Sequence, residues 1–376
     1  MPHETDDSSL PWVHFWLFGP EFGCVKRELT VVRKLHGRAR CLLLVHPRHQ
    51  PMLQDYFRQT PSVHIQAYRY GLQLAYRPDF DLDITKSILN MLKYVLWQWW
   101  ADWRIFQRAV LERPPAVIVN DFLPQVSLWA RWHPIPCLGV YNYALQETDF
   151  GPGILKRTLS GLVPVLFRMA YRLPRRMFIE TLYPQVPAPA VRIPLIRRFA
   201  VAGRHPVSEK RYFLALGGHS RPEAVLDFFS EVLRHAPEVR IYIAPRYPDE
   251  SPAQNSPLCR IELSNPFHTE ELFEAISGVI TKAGFTTVAE ALQTGKALFL
   301  LPLASHPEIR ETETALLKSG RAQQIRLTDP PERVAELLRH PPEPPADADL
   351  LFGGEEMVLQ EILRYVASGN RARTTF

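Results

Sequence analysis

The stretch Thr281-Lys282-Ala283-Gly284-Phe285-Thr286-Thr287-Val288-Ala289-Glu290 has the residue types and spacing of an anion site. It follows an apolar run, Ile276 to Ile280, that reads as a buried strand, and it opens a helical pattern of Val288, Ala289, Ala291 and Leu292. The first backbone N–H groups of a helix have no intrahelical partner, and the helix dipole favours negative charge there. Glu290 lies about one turn inside this helix, within reach of a sugar hydroxyl beside a bound phosphate. A similar unit stands earlier: a strand from Arg211 to Leu216, the turn Gly217-Gly218-His219-Ser220, and a helix from Pro222 to Leu233. Two glycines let the backbone approach an anion closely. Alone, such a turn is more often structural. Paired with the Gly284 loop one repeat later, it suits a diphosphate held by two helix starts, and the chemistry implied is that of a nucleotide-linked phosphate.

The elements that must position these loops are legible upstream. Val13 to Phe18 is an apolar-aromatic run ending at Gly19, followed by a helical pattern from Val25 to Leu35. Cys41 to Val45 and Ser62 to Ala67 read as the next strands. Asp83 to Arg113 reads as one long helix ended by Pro114-Pro115, followed by the strand Val117-Ile118-Val119 and then Asn120-Asp121. A helix from Gln125 to Trp132 and a strand from Cys137 to Val140 complete the first half. In the second half, Arg240 to Ala244 and Ala297 to Leu301 read as strands, Glu308 to Lys318 and Gly354 to Ala367 as helices. Strand–helix alternation predicts parallel sheets covered on both faces. Two doubly wound halves joined near Pro187 to Val201 is the simplest architecture, with ligands at the carboxyl ends of strands, in the cleft between halves.

At 376 residues, the chain is comfortable for two domains. Hydrophobic residues make up 46% and charged residues 22%, which excludes a disordered chain. A net charge of +5 favours acidic partners without choosing among them. The cysteines Cys24, Cys41, Cys137 and Cys259 contain no C-x-x-C, which argues against a zinc ribbon or disulfide scaffold and for a reducing compartment. The acidic, polar start from Met1 to Pro11 lacks a signal-peptide pattern, and no stretch reaches the length of a membrane span. The expectation is a cytoplasmic protein.

The run "GVITKAGFTTVAEALQTGKALFLLPLASHPEIRETETALLKSG" within Ile276 to Gly320 resembles the donor-binding core of nucleotide-sugar glycosyltransferases of the GT-B fold. The likeness is closest to the MurG-like group of cell-wall GlcNAc transferases and its poorly characterised prokaryotic relatives. "PAVIVNDFLPQVSLWARWHPIPCLGVYNY", Pro115 to Tyr143, resembles the first-domain strand–Asp–helix–strand unit of the same proteins. The resemblance implies an α/β GT-B fold, two doubly wound Rossmann-like domains facing across a cleft. Residues 1–198 would bind acceptor, 199–350 would bind the nucleotide-sugar donor, and a helix in 351–376 would pack back toward the first domain. The activity implied is inverting transfer of a hexose from a UDP-sugar to an unknown acceptor, lipid-linked or a small metabolite, without metal or cofactor.

On the donor side, the resemblance places Gly217, Gly218, His219 and Ser220 against the diphosphate and Phe267 at the base. Gly284, Phe285, Thr286 and Thr287 form the second phosphate loop, and Glu290 is the ribose acid. An ionised carboxylate can accept two ribose hydroxyls at once. The alternative for Glu290 is a solvated helix residue. Glu308 matches the sugar-reading acid, but Ile309 stands where Gln is usual and Thr312 where Asn is usual; His306 offers a compensating polar group. On the acceptor-side loop, Gly19, Gly23 and Arg27 fit the pattern, while Glu21 replaces a glycine and Cys24 replaces the usual catalytic His. A thiol is a poor base for a hydroxyl, so Cys24 reads either as a small packed residue or as a thiolate favoured by the helix start. Asp121, alone or with Glu21, is the remaining base candidate; its alternative is a cap on the following helix.

Between Ile154 and Arg176 stand six cations (Lys156, Arg157, Arg168, Arg172, Arg175 and Arg176) and no acid, interspersed with apolar residues. Such a segment suits an anionic membrane surface on the inner face, or is a helix with a solvated basic face. Gly161 and Pro164 argue against one straight helix there. Trp97, Trp99, Trp100 and Trp103 line an acceptor groove, form an interface belt or belong in part to the core. Asp79-Phe80-Asp81, Asp81-Leu82-Asp83 and Asp347-Ala348-Asp349 are weak metal motifs, and none ends an evident strand; helix starts with Lys282 suffice to neutralise a diphosphate. The competing functions are a nucleotide-sugar hydrolase or epimerase on the same fold, or a catalytically impaired UDP-sugar-binding protein. Nucleic-acid binding rests on charge alone and is not expected.

Overall fold

The computed structural model describes residues 9–17, 19, 22–68, 75, 83–121, 123–149, 154–199, 210–216, 223–243, 259–260, 267, 269–302, 307–342 and 351–373. The chain forms two compact units. Unit 1 comprises Met1–Ala75, Ile84–Ile196 and Leu351–Phe376; unit 2 comprises Tyr76–Asp83 and Arg197–Leu350.

Unit 1 alternates strand and helix: β1 (Trp12–Trp16), α1 (Phe22–Lys34), β2 (Arg40–Val45), α2 (Gln50–Tyr56), β3 (Val63–Ala67), α3 (Ile84–Lys93), a π-helical turn (Tyr94–Gln98), α4 (Trp99–Glu112), β4 (Pro115–Asn120), α5 (Pro124–Trp132), β5 (Cys137–Tyr141), α6 (Ile154–Ala170), β6 (Arg176–Glu180) and β7 (Val191–Ile193). Its parallel sheet runs β3-β2-β1-β4-β5-β6-β7. The central strands are buried on both faces, and for that reason they read as apolar runs rather than alternating ones.

Unit 2 contains β8 (Arg211–Ala215), α7 (Glu223–His235), β9 (Arg240–Ile243), β10 (Cys259–Arg260), α8 (Glu270–Ala275), β11 (Gly278–Thr281), α9 (Phe285–Gln293), β12 (Ala297–Leu300), α10 (Pro307–Lys318), β13 (Gln323–Gln324) and α11 (Pro331–Arg339). Its sheet, again parallel, runs β10-β9-β8-β11-β12-β13. The last helix, α12 (Gly354–Arg373), returns to unit 1 and packs on α1, β1 and β4. Lys34 bonds both Glu355 and Glu356, and Arg176 Nη1 meets Glu361 Oε2 at 2.9 Å. Arg176 therefore serves the fold rather than a surface.

Two helices differ from expectation. The long helix after Asp83 carries a π turn at Tyr94–Gln98. Tyr94 and Asp102, eight residues apart, would sit roughly 80° apart on an ideal α-helix. The wider turn brings both onto the buried face, where the Tyr94 hydroxyl meets Asp102 and Gln125. α6 runs unbroken through Pro164, which is buried. Packing there outweighs the backbone hydrogen bond that proline cannot make.

Burial pushes the Asp102 carboxyl up to about 7. Below that value the folded chain keeps a proton that the unfolded chain gives up near its ordinary value of 3.8. The contribution of Asp102 to stability therefore falls as pH rises from about 4 to 7 and is constant above. Asp102→Asn abolishes this dependence. Urea unfolding is expected to show the variant gaining about 2 kcal/mol on the wild type between pH 5 and pH 8; an unchanged difference would place Asp102 in contact with water.

Candidate functional site

In both sheets the strand order reverses beside the first strand of the unit, between β1 and β4 and between β8 and β11. Ligands of doubly wound sheets bind at the carboxyl ends at such a reversal. The sites are built from the residues that follow these four strands.

In unit 2, β11 ends at Thr281, in register with Ala215 of β8. Lys282 is buried, and Ala283 takes a left-handed conformation, φ +64°, that non-glycine residues rarely adopt. Such strain concentrates at functional turns, and here it swings the chain from β11 into α9. Gly284 is the N-cap, with φ −61° and ψ 122°, a conformation open to any residue. A Cβ placed on it would meet no atom within 4 Å. Neither backbone geometry nor packing within the protein demands glycine here.

Phe285 is buried, while Thr286 and Thr287 are half-buried at the start of α9. Glu290 lies one turn further in, only 2% exposed, and its Oε1 accepts a hydrogen bond from Thr269 Oγ1 at 3.3 Å. Phe267, also buried, stands two residues before Thr269. The Thr269–Glu290 bond thus ties the segment of the expected base position to the expected ribose acid. Burial sets aside the alternative of Glu290 as a solvated residue. Gln293, on the same helix, accepts the backbone N–H groups of Arg198 and Phe199 and donates to the Phe199 carbonyl. Glu308 begins α10, where Thr312 bonds back to its carbonyl. Gly217, Gly218, His219, Ser220 and His306 lie outside the described residues.

In unit 1, Gly19 adopts φ +75°, the left-handed turn that lets the chain leave β1. Glu21 lies outside the described residues. Gly23 and Cys24 form the first turn of α1, both half-buried. Arg27, one turn on, is buried and bonds Asp121 Oδ1, with its Nε 3.4 Å from Glu28 Oε1 and its Nη2 3.4 Å from the Val140 carbonyl. Burial alone would lower the Arg27 pKa. Asp121, Cys24, Glu28 and Glu180 outweigh it, hold the guanidinium charged and raise its pKa. Glu180 in turn accepts the Ile196 backbone N–H at 2.7 Å.

This arrangement changes the reading of Asp121. It stands at the carboxyl end of β4, where its backbone N–H bonds the Trp16 carbonyl, but its carboxylate is fully buried against Arg27. The N-cap of α5 is Leu123 rather than Asp121, and Asn120 bonds the backbone of Leu123 and the hydroxyl of Ser127. Sequence reasoning also missed the histidines after β2. His49 is buried with its ring 4.9 Å from Phe22, and half-buried His46 lies 6.1 Å from His49. Burial, then Arg48, holds the His46 imidazole below its ordinary value, and so neutral at pH 7. Two histidines directly after a strand on the ligand edge were the available signal. An open hollow of about 370 Å³ lies elsewhere on unit 1, lined by His64, Gln66, Arg108, Glu112 and Arg113 among others, and holds none of the expected site residues.

No curated protein sequence matches the chain. Among solved structures, the glycotransferase of kitacinnamycin aligns over 96% of this chain and 96% of its own, with 16% identity and a TM-score of 0.62. LpCGTa in complex with UDP aligns over 96% and 100%, with 12% identity and a TM-score of 0.63. Acinetobacter baumannii MurG aligns over 94% and 99%, with 16% identity and a TM-score of 0.56. These likenesses show the fold, the GT-B architecture. The family model of glycosyl transferase family 1 matches residues 22–337. The chain belongs to glycosyl transferase family 1.

Proposed function

We propose that this glycosyltransferase moves a hexose from a nucleotide-diphosphate donor, UDP-linked, to an acceptor bound by unit 1, with inversion at the anomeric carbon. The observation that supports this best is the start of α9. There a glycine that the fold does not require opens a helix whose second turn holds the buried Glu290. Two structural neighbours are described in complex with UDP. The acceptor hydroxyl oxygen attacks the anomeric carbon, the bond from that carbon to the UDP oxygen breaks, and the hydroxyl proton passes to solvent water as UDP departs. The helix start and Lys282 stabilise the charge growing on the diphosphate, preorganised donors of a kind worth about 2.7–4 kcal/mol each. Charge neutralisation by these groups makes a metal unnecessary in this reading. Asp121 acts through Arg27, fixing the first turns of α1, rather than by receiving the acceptor's proton itself.

Gly284→Ala separates ligand need from fold need. The substitution is expected to cost no more than about 1 kcal/mol of stability, because it changes only a cap residue with open space around it. UDP affinity is expected to fall about tenfold or more, because the methyl group stands where the phosphate meets the backbone. Equal affinity by calorimetry would move the phosphate elsewhere. We also place α6 against an anionic membrane surface, which its exposed cations Arg157 and Arg168, and Arg172 just beyond its end, support.

A further inference from the structure

A second helical segment on unit 1 presents an apolar face to solvent. Along α3, the π turn and α4, the residues Leu89, Leu92, Val95, Leu96, Trp97 and Trp100 are all exposed, Trp97 by 70% and Trp100 by 64%. Lys93 and Arg104 are exposed among them, and from Ile84 to Arg104 the one acid, Asp102, is buried. The face is therefore apolar and aromatic with a positive charge and no exposed negative one. Trp99 and Trp103 turn the other way and pack on the core beside Phe106 and Trp129. The four tryptophans thus divide into two core residues and two outward ones.

Topology places this segment on the same side as α6. The connections from β3 to β4 and from β5 to β6 step in one direction along the strand order. Right-handed crossovers stepping the same way lie on the same face of a sheet. α6 adds exposed Leu162, Val165, Leu166 and Met169 beside its cations. One helical layer of unit 1 thus carries two apolar stripes, each with cations. No helix among the described residues is long and apolar enough to cross a membrane.

We infer that the α3–π–α4 face docks on a bilayer surface rich in anionic lipid, with Trp97 and Trp100 seated at the headgroup level and Lys93 and Arg104 on the phosphates. Apolar burial and cation–headgroup attraction act together at such a surface. The inference extends the proposed membrane contact of α6 and is independent of the donor chemistry.

Flotation of the full chain with phosphatidylglycerol–phosphatidylcholine vesicles and with phosphatidylcholine vesicles, at low salt, tests it. The wild type is expected to float with the anionic vesicles only, with its tryptophan emission shifted to the blue. Trp97→Ser with Trp100→Ser is expected to weaken partitioning about tenfold or more and to remove the shift. Lys93→Glu with Arg104→Glu is expected to weaken it by a similar factor. UDP affinity in both double variants should remain that of the wild type. If Arg168→Glu with Arg172→Glu alone abolishes flotation while the tryptophan variant binds as wild type, the inference is overturned and the α6 contact stands. Wild type that stays at the bottom of the gradient overturns both. A dimer in size-exclusion chromatography that the tryptophan variant dissociates, without flotation, would show a second copy of the chain on this face and overturn the inference.

Discussion

Arg27→Met is expected to destabilise unit 1 by about 3–5 kcal/mol, the cost of removing one partner from a buried ion cluster. Arg27 is buried, and the carboxylates around it belong to Asp121, Glu28 and Glu180, each fully buried. Without the guanidinium these groups face one another in a medium of low dielectric, where like charges repel strongly. Asp121→Asn is expected to cost far less, about 1–2 kcal/mol, because an amide oxygen still accepts from Arg27 and Glu28 and Glu180 remain. The asymmetry is the test: equal losses in urea unfolding would mean that Asp121 alone holds Arg27. The same Asn variant decides the chemical role. A positioning group allows transfer to continue within about tenfold, whereas loss of a general base lowers it about 10²–10⁴-fold with UDP affinity intact.

Glu290→Ala is expected to weaken UDP binding by about 2–4 kcal/mol, roughly 30- to 1,000-fold. That range is the loss of two charge-assisted hydrogen bonds from ribose hydroxyls to a carboxylate. The residue is buried and its Oε1 is already oriented by Thr269, so little ordering remains to be done on binding. Glu290→Gln keeps the Thr269 bond and the shape but lacks the charge, and is expected to lie between Ala and wild type. Unchanged affinity in Glu290→Ala would remove the ribose assignment and leave the carboxylate a structural partner of Thr269.

The two doubly wound sheets were legible because central parallel strands such as β1 and β4 are buried on both faces and read as unbroken apolar runs. The Gly284 unit was legible because its meaning is local: strand, turn and helix lie within about ten residues. The Arg27–Asp121 pair was not, since it joins residues far apart in sequence and the residue type alone fits a base, a cap or an ion pair. The structure makes Leu123 the N-cap of α5 and pairs Asp121 with Arg27. The π turn escaped notice because one added residue shifts the helical phase without changing composition, and only the meeting of Tyr94 with Asp102 reveals it. β10 and β13, two residues each, are too short to carry a period. Pro164 misled in the opposite sense, as packing carried α6 through it.

The central claim is that unit 2 binds a uridine nucleotide at the start of α9. Titration calorimetry of UDP into the full chain tests it directly. One saturable site per chain is expected, with affinity reduced by both Gly284→Ala and Glu290→Ala. Absence of saturable heat at millimolar UDP, or binding indifferent to both substitutions, would contradict the account.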